Sequence, residues 1–178
     1  MRVASRPTLV LAALLAAVVP ASLWGGAGAA AAPGAKAPVI TDRGVGAVHL
    51  GASAATLRQK NLIGTLRKGC ELEPGQRVAP LRAPLRGWAT FGAGGHGLTQ
   101  LTVESGAETA RHIAVGATAA QARSAYPSAQ YEAPGTAQPF AQGFLWIPNS
   151  MHPKMTFVVE PGSRTVEAIA VPAPAFCE

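Results

Sequence analysis

The segment Val48-His49-Leu50-Gly51-Ala52-Ser53-Ala54-Ala55 returns 65 residues later as Ile113-Ala114-Val115-Gly116-Ala117-Thr118-Ala119-Ala120. Each copy runs from extended apolar residues into Gly, a small residue, a hydroxyl residue and an Ala-rich run. A second block follows each copy. Thr90-Phe91 precedes Leu98, Leu101 and Val103, and Thr156-Phe157 precedes Val166, Ile169 and Val171. The phenylalanines lie 66 residues apart and the Leu101/Ile169 pair 68. Two blocks recurring in one order at nearly one period point to a duplicated unit, whose copies must bury their apolar faces together.

One unit can be read from its residues. Ser53 and Thr118 stand where a hydroxyl accepts a hydrogen bond from the unpaired N–H groups of a starting helix. Helices are expected over 54–60 and 119–126, the second stopped by Pro127 because the residue before proline disfavours helical backbone. Alternating apolar residues then predict antiparallel strands over 87–91 and 98–104, and over 154–160 and 165–171, with a further strand over 144–147. Period-two alternation places Phe91, Leu101 and Val103 on one face, the face that the helices cover. The expected fold is α+β: two tandem repeats, each a short helical segment packed on an antiparallel β-meander. Repeat 1 spans 44–110 and repeat 2 spans 111–178, within one compact domain preceded by a flexible segment, 33–43.

Leu50-Gly51-Ala52-Ser53 and Val115-Gly116-Ala117-Thr118, each leading into a helix and then a meander, resemble the tandem-repeat β-lactamase inhibitor proteins. The unit is also similar to that of small outer-membrane assembly lipoproteins. The resemblance covers roughly 44–177 and implies helices on a curved antiparallel sheet used to bind other proteins. The inhibitors carry a disulfide within each repeat, whereas Cys70 and Cys177 fall in different ones. No inhibitor contact residue maps onto this chain.

The N-terminus is a separate matter. Arg2 and Arg6 precede an apolar run from Thr8 to Val19, and Pro20 and the small residues Gly25 to Ala32 follow. Charge, short apolar core and small residues make the three-part pattern of a secretory signal peptide over 1–32, removed near Ala29 to Ala32. The competing reading is an uncleaved anchor, but about a dozen strongly apolar residues fall short of the ~20 that a membrane-spanning helix needs. An exported protein with no membrane span after cleavage is expected. In an oxidising compartment Cys70 and Cys177 are expected to form one disulfide; two buried thiols are the alternative.

Charge and motifs exclude more than they select. The formal net charge of +6 includes Arg2 and Arg6, and the remaining basic residues are scattered, so no nucleic-acid footprint is expected. Gly92-Ala93-Gly94-Gly95-His96-Gly97 matches G-x-G-x-x-G, but a strand follows where a dinucleotide site needs a helix, so it reads as a hairpin turn. Gly51-Ala52-Ser53-Ala54-Ala55 lacks the second glycine of a nucleophile elbow, and Thr118 in the other copy suits capping rather than catalysis. His49, His96, His112 and His152 stand at no metal-ligand spacing. No catalytic residue, metal site or cofactor is expected.

The remaining signal is aromatic. Trp88 points away from Phe91 on one strand, and Trp146 lies between Leu145 and Ile147. Sharing an open sheet face, the two would form a rigid apolar anchor for a partner, rimmed by the Asn149–Pro153 loop with His152. Partial burial of both in the core is the competing arrangement. The expected function is therefore a secreted, non-catalytic binding module with a protein or cell-envelope partner. Two other classes stay open: a small secreted hydrolase acting on envelope polymers, and an inhibitor of a secreted enzyme.

Overall fold

Three very short strands begin the fold: β1 (Val39–Thr41), β2 (Gly44–Val45) and β3 (Val48–His49). Helix α1 (Ala54–Gln59) leads into a meander of β4 (Arg67–Lys68), β5 (Arg77–Pro80), β6 (Arg86–Phe91) and β7 (Leu98–Ser105). The strand β8 (Glu108–Thr109) and helix α2 (Ala119–Ala125) follow. A second meander closes the chain: β9 (Gln130–Glu132), β10 (Gly143–Ile147), β11 (Met155–Val159) and β12 (Val166–Val171). The computed structural model describes residues 36–71, 73–135 and 141–175. The expected signal segment and Cys177 lie outside them.

The fold is α+β, with two short α-helices and two sheets among the described residues. The large sheet has the order β4-β5-β6-β7-β12-β11-β10-β9, so the last strands of the two meanders meet at its centre. They pair antiparallel through Val103–Ile169, Thr102–Ala170 and Leu101–Val171. The small sheet, β3-β2-β1-β8, contains one parallel pair, β1 with β8. Its Ile40, Val45 and Val48 join Leu57 of α1, Ala122 of α2 and the inward residues of the large sheet in one core. Phe91, Leu101, Val103, Phe157, Ile169 and Val171 are all fully buried there. Removing one such phenylalanine side chain costs about 3–5 kcal/mol.

Both helices start by one device. Ser53 Oγ accepts from Thr56 N–H at 3.2 Å, and Thr118 Oγ1 accepts from Gln121 N–H at 3.1 Å. At Thr118 the cap is reciprocal, because Gln121 Oε1 accepts the Thr118 N–H at 2.8 Å. The backbone before each cap is pinned alike. Gly51 N–H donates to Leu98 O and Leu98 N–H to Ala52 O, while Gly116 N–H donates to Val166 O and Val166 N–H to Ala117 O. Gly51 and Gly116 have φ of +82° and +92°, the left-handed region that a residue without Cβ enters most cheaply. Beyond α2, Arg111 donates to Ala125 O and lies 4.9 Å from the Tyr126 ring, which packs on Phe157.

The two central hairpins share a bulge. Thr90 faces Gln100 but Phe91 faces Leu98, and Val158 faces Ala168 but Val159 faces Val166. Phe91 therefore corresponds in register to Val159, and Phe157, which faces Ile169, corresponds to Ala89, which faces Leu101. The expected Phe91/Phe157 equivalence is two residues out. Both rings reach the same core, but a Thr-Phe dipeptide carries no register information and the hydrogen-bonded ladder does.

Two further expectations are corrected. The segment 33–43 was expected to be a flexible lead-in, yet β1 lies within it, held by β2 on one side and β8 on the other. The Cys70–Cys177 disulfide is absent, since the two sulfurs do not come within bonding distance. Topology supplies the reason. Cys70 is buried just beyond β4 at one edge of the large sheet, its N–H held by Gln76 Oε1 at 2.9 Å. The C-terminal residues leave from β12, four strand spacings or roughly 19 Å away, whereas a disulfide needs Cα atoms within about 7 Å. Ala173 then packs toward β10 and β11, away from Cys70.

Replacing Ser53 or Thr118 by Ala is expected to cost about 0.5–2 kcal/mol each in urea unfolding, the larger loss falling on Thr118 with its reciprocal cap. Glu167, at the bulge of β12, has its carboxyl pKa raised, first by partial burial and second by the charge of Glu160. A raised folded-state pKa means that stability present below the ordinary glutamate range is lost as pH rises through the folded value. Thermal melts of Glu167→Gln should thus show a gain over the parent at neutral pH that disappears below about pH 4.

Candidate functional site

Cross-strand register carries one row of residues over the face of the large sheet turned away from the helices. The row runs Pro80, Trp88, Thr102, Ala170, Thr156, Trp146, Gln130. Trp88 and Trp146 therefore do share the outer face. They do not form one anchor. Four strand spacings separate them, roughly 19 Å, and their surroundings differ.

Trp146 is only 6% exposed. Its indole N–H donates to Glu132 Oε2 at 2.8 Å, and its ring lies 5.2 Å from that of Phe144. Val158, Ala168 and Ala173 complete an apolar cluster on this side of the sheet. The residues after β12 help to cover it: Thr156 Oγ1 donates to Pro172 O at 2.9 Å, and Ala173 packs on the cluster. A buried indole with its N–H satisfied is a structural side chain here.

Trp88 is 40% exposed. Pro80 and Thr102, its register neighbours, are half-buried, and Arg86 and Glu104 stand exposed beside it on β6 and β7. Gln100 Oε1, on the same face of β7, is buried without a hydrogen-bond partner. His152 is exposed in the β10–β11 turn, where its N–H and that of Met151 donate to Asn149 Oδ1 at 3.0 and 3.1 Å. The loop therefore borders the Trp146 hairpin, with Met151 84% exposed, and not Trp88. Of the three residues expected to form the site, Trp88 alone presents an exposed aromatic surface.

The other polar groups stay dispersed. His112 Nδ1 lies 3.1 Å from Glu108 Oε1 on the surface. Among the described residues no group of three or more His, Cys, Asp and Glu side chains is placed to hold a metal ion. Nor, among them, is any helix long and apolar enough to cross a membrane.

A second feature escaped the sequence reading. On the helix side, a depression of about 610 Å³ opens between α2, the edge strand β9 and the β11–β12 turn. Tyr131, 43% exposed, stands in it with Arg123 and Arg164. Register explains why Tyr131 is there, because it pairs with the inward-facing Leu145 and so points to the helix side. Aromatic and arginine residues in the second half of the chain were the available signal. Their convergence from 8 to 41 residues apart was not.

Comparison with family models, with curated proteins and with solved structures yields no match.

In a Trp24→Phe background, the Trp146→Phe variant should retain fluorescence that iodide quenches readily, from Trp88. The Trp88→Phe variant should keep only the shielded emission of Trp146. Equal quenching of the two would overturn the assignment of one buried and one presented tryptophan.

Proposed function

We propose that this chain is an exported, non-catalytic binding module built from two copies of one helix-and-meander unit. Its partner, a protein or cell-envelope component, is engaged by the outer sheet face around Trp88. Several observations support duplication. The glycine, cap and strand hydrogen bonds recur at Gly51, Ser53 and Leu98 and at Gly116, Thr118 and Val166. Equivalent bulges recur at Phe91 and Val159. The central pairs Leu101–Val171 and Val103–Ile169 exchange places under the same correspondence, with Thr102–Ala170 at the middle.

The observation that carries the binding surface is the unequal cover of the two halves. Trp88 pairs with Thr102 as Thr156 pairs with Ala170, so Trp88 and Thr156 hold matching places. Thr156 is fully buried, and Trp88 is 40% exposed. One half of the outer face is thus closed by its own chain, while the other presents a large aromatic side chain anchored on a central strand. A rigid aromatic of that kind contributes contact area with little ordering cost, which is why Trp is enriched at binding hot spots.

Immobilised wild-type chain and the Trp88→Ala and Met151→Ala variants, exposed to envelope and culture fractions of the native cell, test this reading. Trp88→Ala should weaken retention of a specific partner by about tenfold or more, and Met151→Ala should leave it unchanged. Retention indifferent to Trp88, or turnover of an envelope polymer by the wild-type chain, would replace the binding-face reading.

A further inference from the structure

The depression beside α2 plays no part in that sheet face, and its lining has a definite chemistry. Ala119 and Ala120 at the start of α2, with Pro134 and Pro161 in the flanking turns, give it an apolar floor. Tyr131 adds an exposed ring. Arg123, from α2, and Arg164, from the β11–β12 turn, bring two guanidinium groups, which stay protonated at any physiological pH. Among the described residues no carboxylate lines the depression. The nearest in the turn, Glu160, accepts from Ser163 Oγ, and among the described residues neither arginine enters an ion pair.

The walls are built rather than incidental. Ala119 N–H donates to Arg164 O at 2.9 Å, and Thr118 and Thr165 form a bridge, so the start of α2 and the turn hold each other in place. Arg164 has φ of +54°, backbone that Gly or Asn adopts at less cost. The corresponding place in the first half is filled. There Gly95 is buried, and a Cβ built on it would lie 3.6 Å from Ala54 Cβ and 4.0 Å from Leu66 Cδ1. The turn rests on α1 in one half and leaves space beside α2 in the other.

We infer that this depression binds a small aromatic acid. Its carboxylate or sulfonate group is taken between Arg123 and Arg164, and its ring body lies against Tyr131 and the alanine–proline floor. Charge complementarity selects an anion. The apolar floor and Tyr131 select a ring over a bare inorganic ion, and the volume suits a small organic ligand.

Fluorescence titration of the full chain with 1-anilinonaphthalene-8-sulfonate tests the inference. Saturable binding to one class of site is expected, displaced by 1-naphthoate but not by the neutral 1-naphthamide. The double variant Arg123→Gln, Arg164→Gln should weaken the probe at least tenfold, while Trp88→Ala should leave the titration unchanged, which separates this site from the sheet face. Displacement by the amide as readily as by the acid would overturn the proposal. So would binding that survives the double substitution, is lost with Trp88→Ala, or never saturates. The competition uses the wild-type chain, so it decides the matter even if the arginine variants fold poorly.

Discussion

Three residue pairs, Val103–Ile169, Thr102–Ala170 and Leu101–Val171, join the two meanders, and the large sheet depends on them. Without that contact each meander would end in a free strand of six to eight residues whose backbone groups could recruit another chain. The contact also sets what every strand presents. Successive side chains alternate between faces, so a slip of one residue would turn Leu101, Val103, Ile169 and Val171 out of the core. Their complete burial ties the register to the hydrophobic core beneath both helices and the small sheet.

With register set, the contrast between the halves follows from side-chain choice on the outer face. The second half places Phe144, Trp146, Val158 and Ala168 outward, a patch apolar enough to hold the residues that follow β12 against it. The first half carries Pro80, Trp88, Thr102 and Gln100 at the comparable level, and Trp88 stays presented. On the helix side the imbalance runs the other way. A glycine turn packs on the start of α1, whereas the turn holding Arg164 is hydrogen-bonded to the start of α2 and leaves a depression beside it. The two halves thus carry different surfaces.

Legibility followed the range of the interaction. Ser53 and Thr118 were readable as helix starts because a cap involves residues three apart, and the long hairpin strands were readable from alternation. The small sheet was not, since strands of two or three residues carry no period and β1 finds β8 far along the chain. The Phe91/Phe157 alignment misled because a Thr-Phe dipeptide fixes no register, whereas the ladder sets Phe91 against Leu98 and Phe157 against Ile169. Cysteine parity also misled. It counts partners but says nothing of distance, and the strands that precede the two cysteines, β4 and β12, lie four places apart in the sheet.

Taken alone, the amino-acid order determined the local events: where the helices begin, which strands alternate, and that Trp88 points opposite to Phe91. Those depend on neighbours a few residues away, whose geometry backbone sterics and hydrogen bonding restrict to a few forms. The folded chain decided the rest. Only the meeting of β7 with β12 and the path taken after it could separate a shielded Trp146 from an exposed Trp88, set the end of β12 four strands from β4 and Cys70, and gather Arg123, Tyr131 and Arg164 around one depression. Cover and convergence are properties of surfaces brought together in space, and no spacing along the chain encodes them.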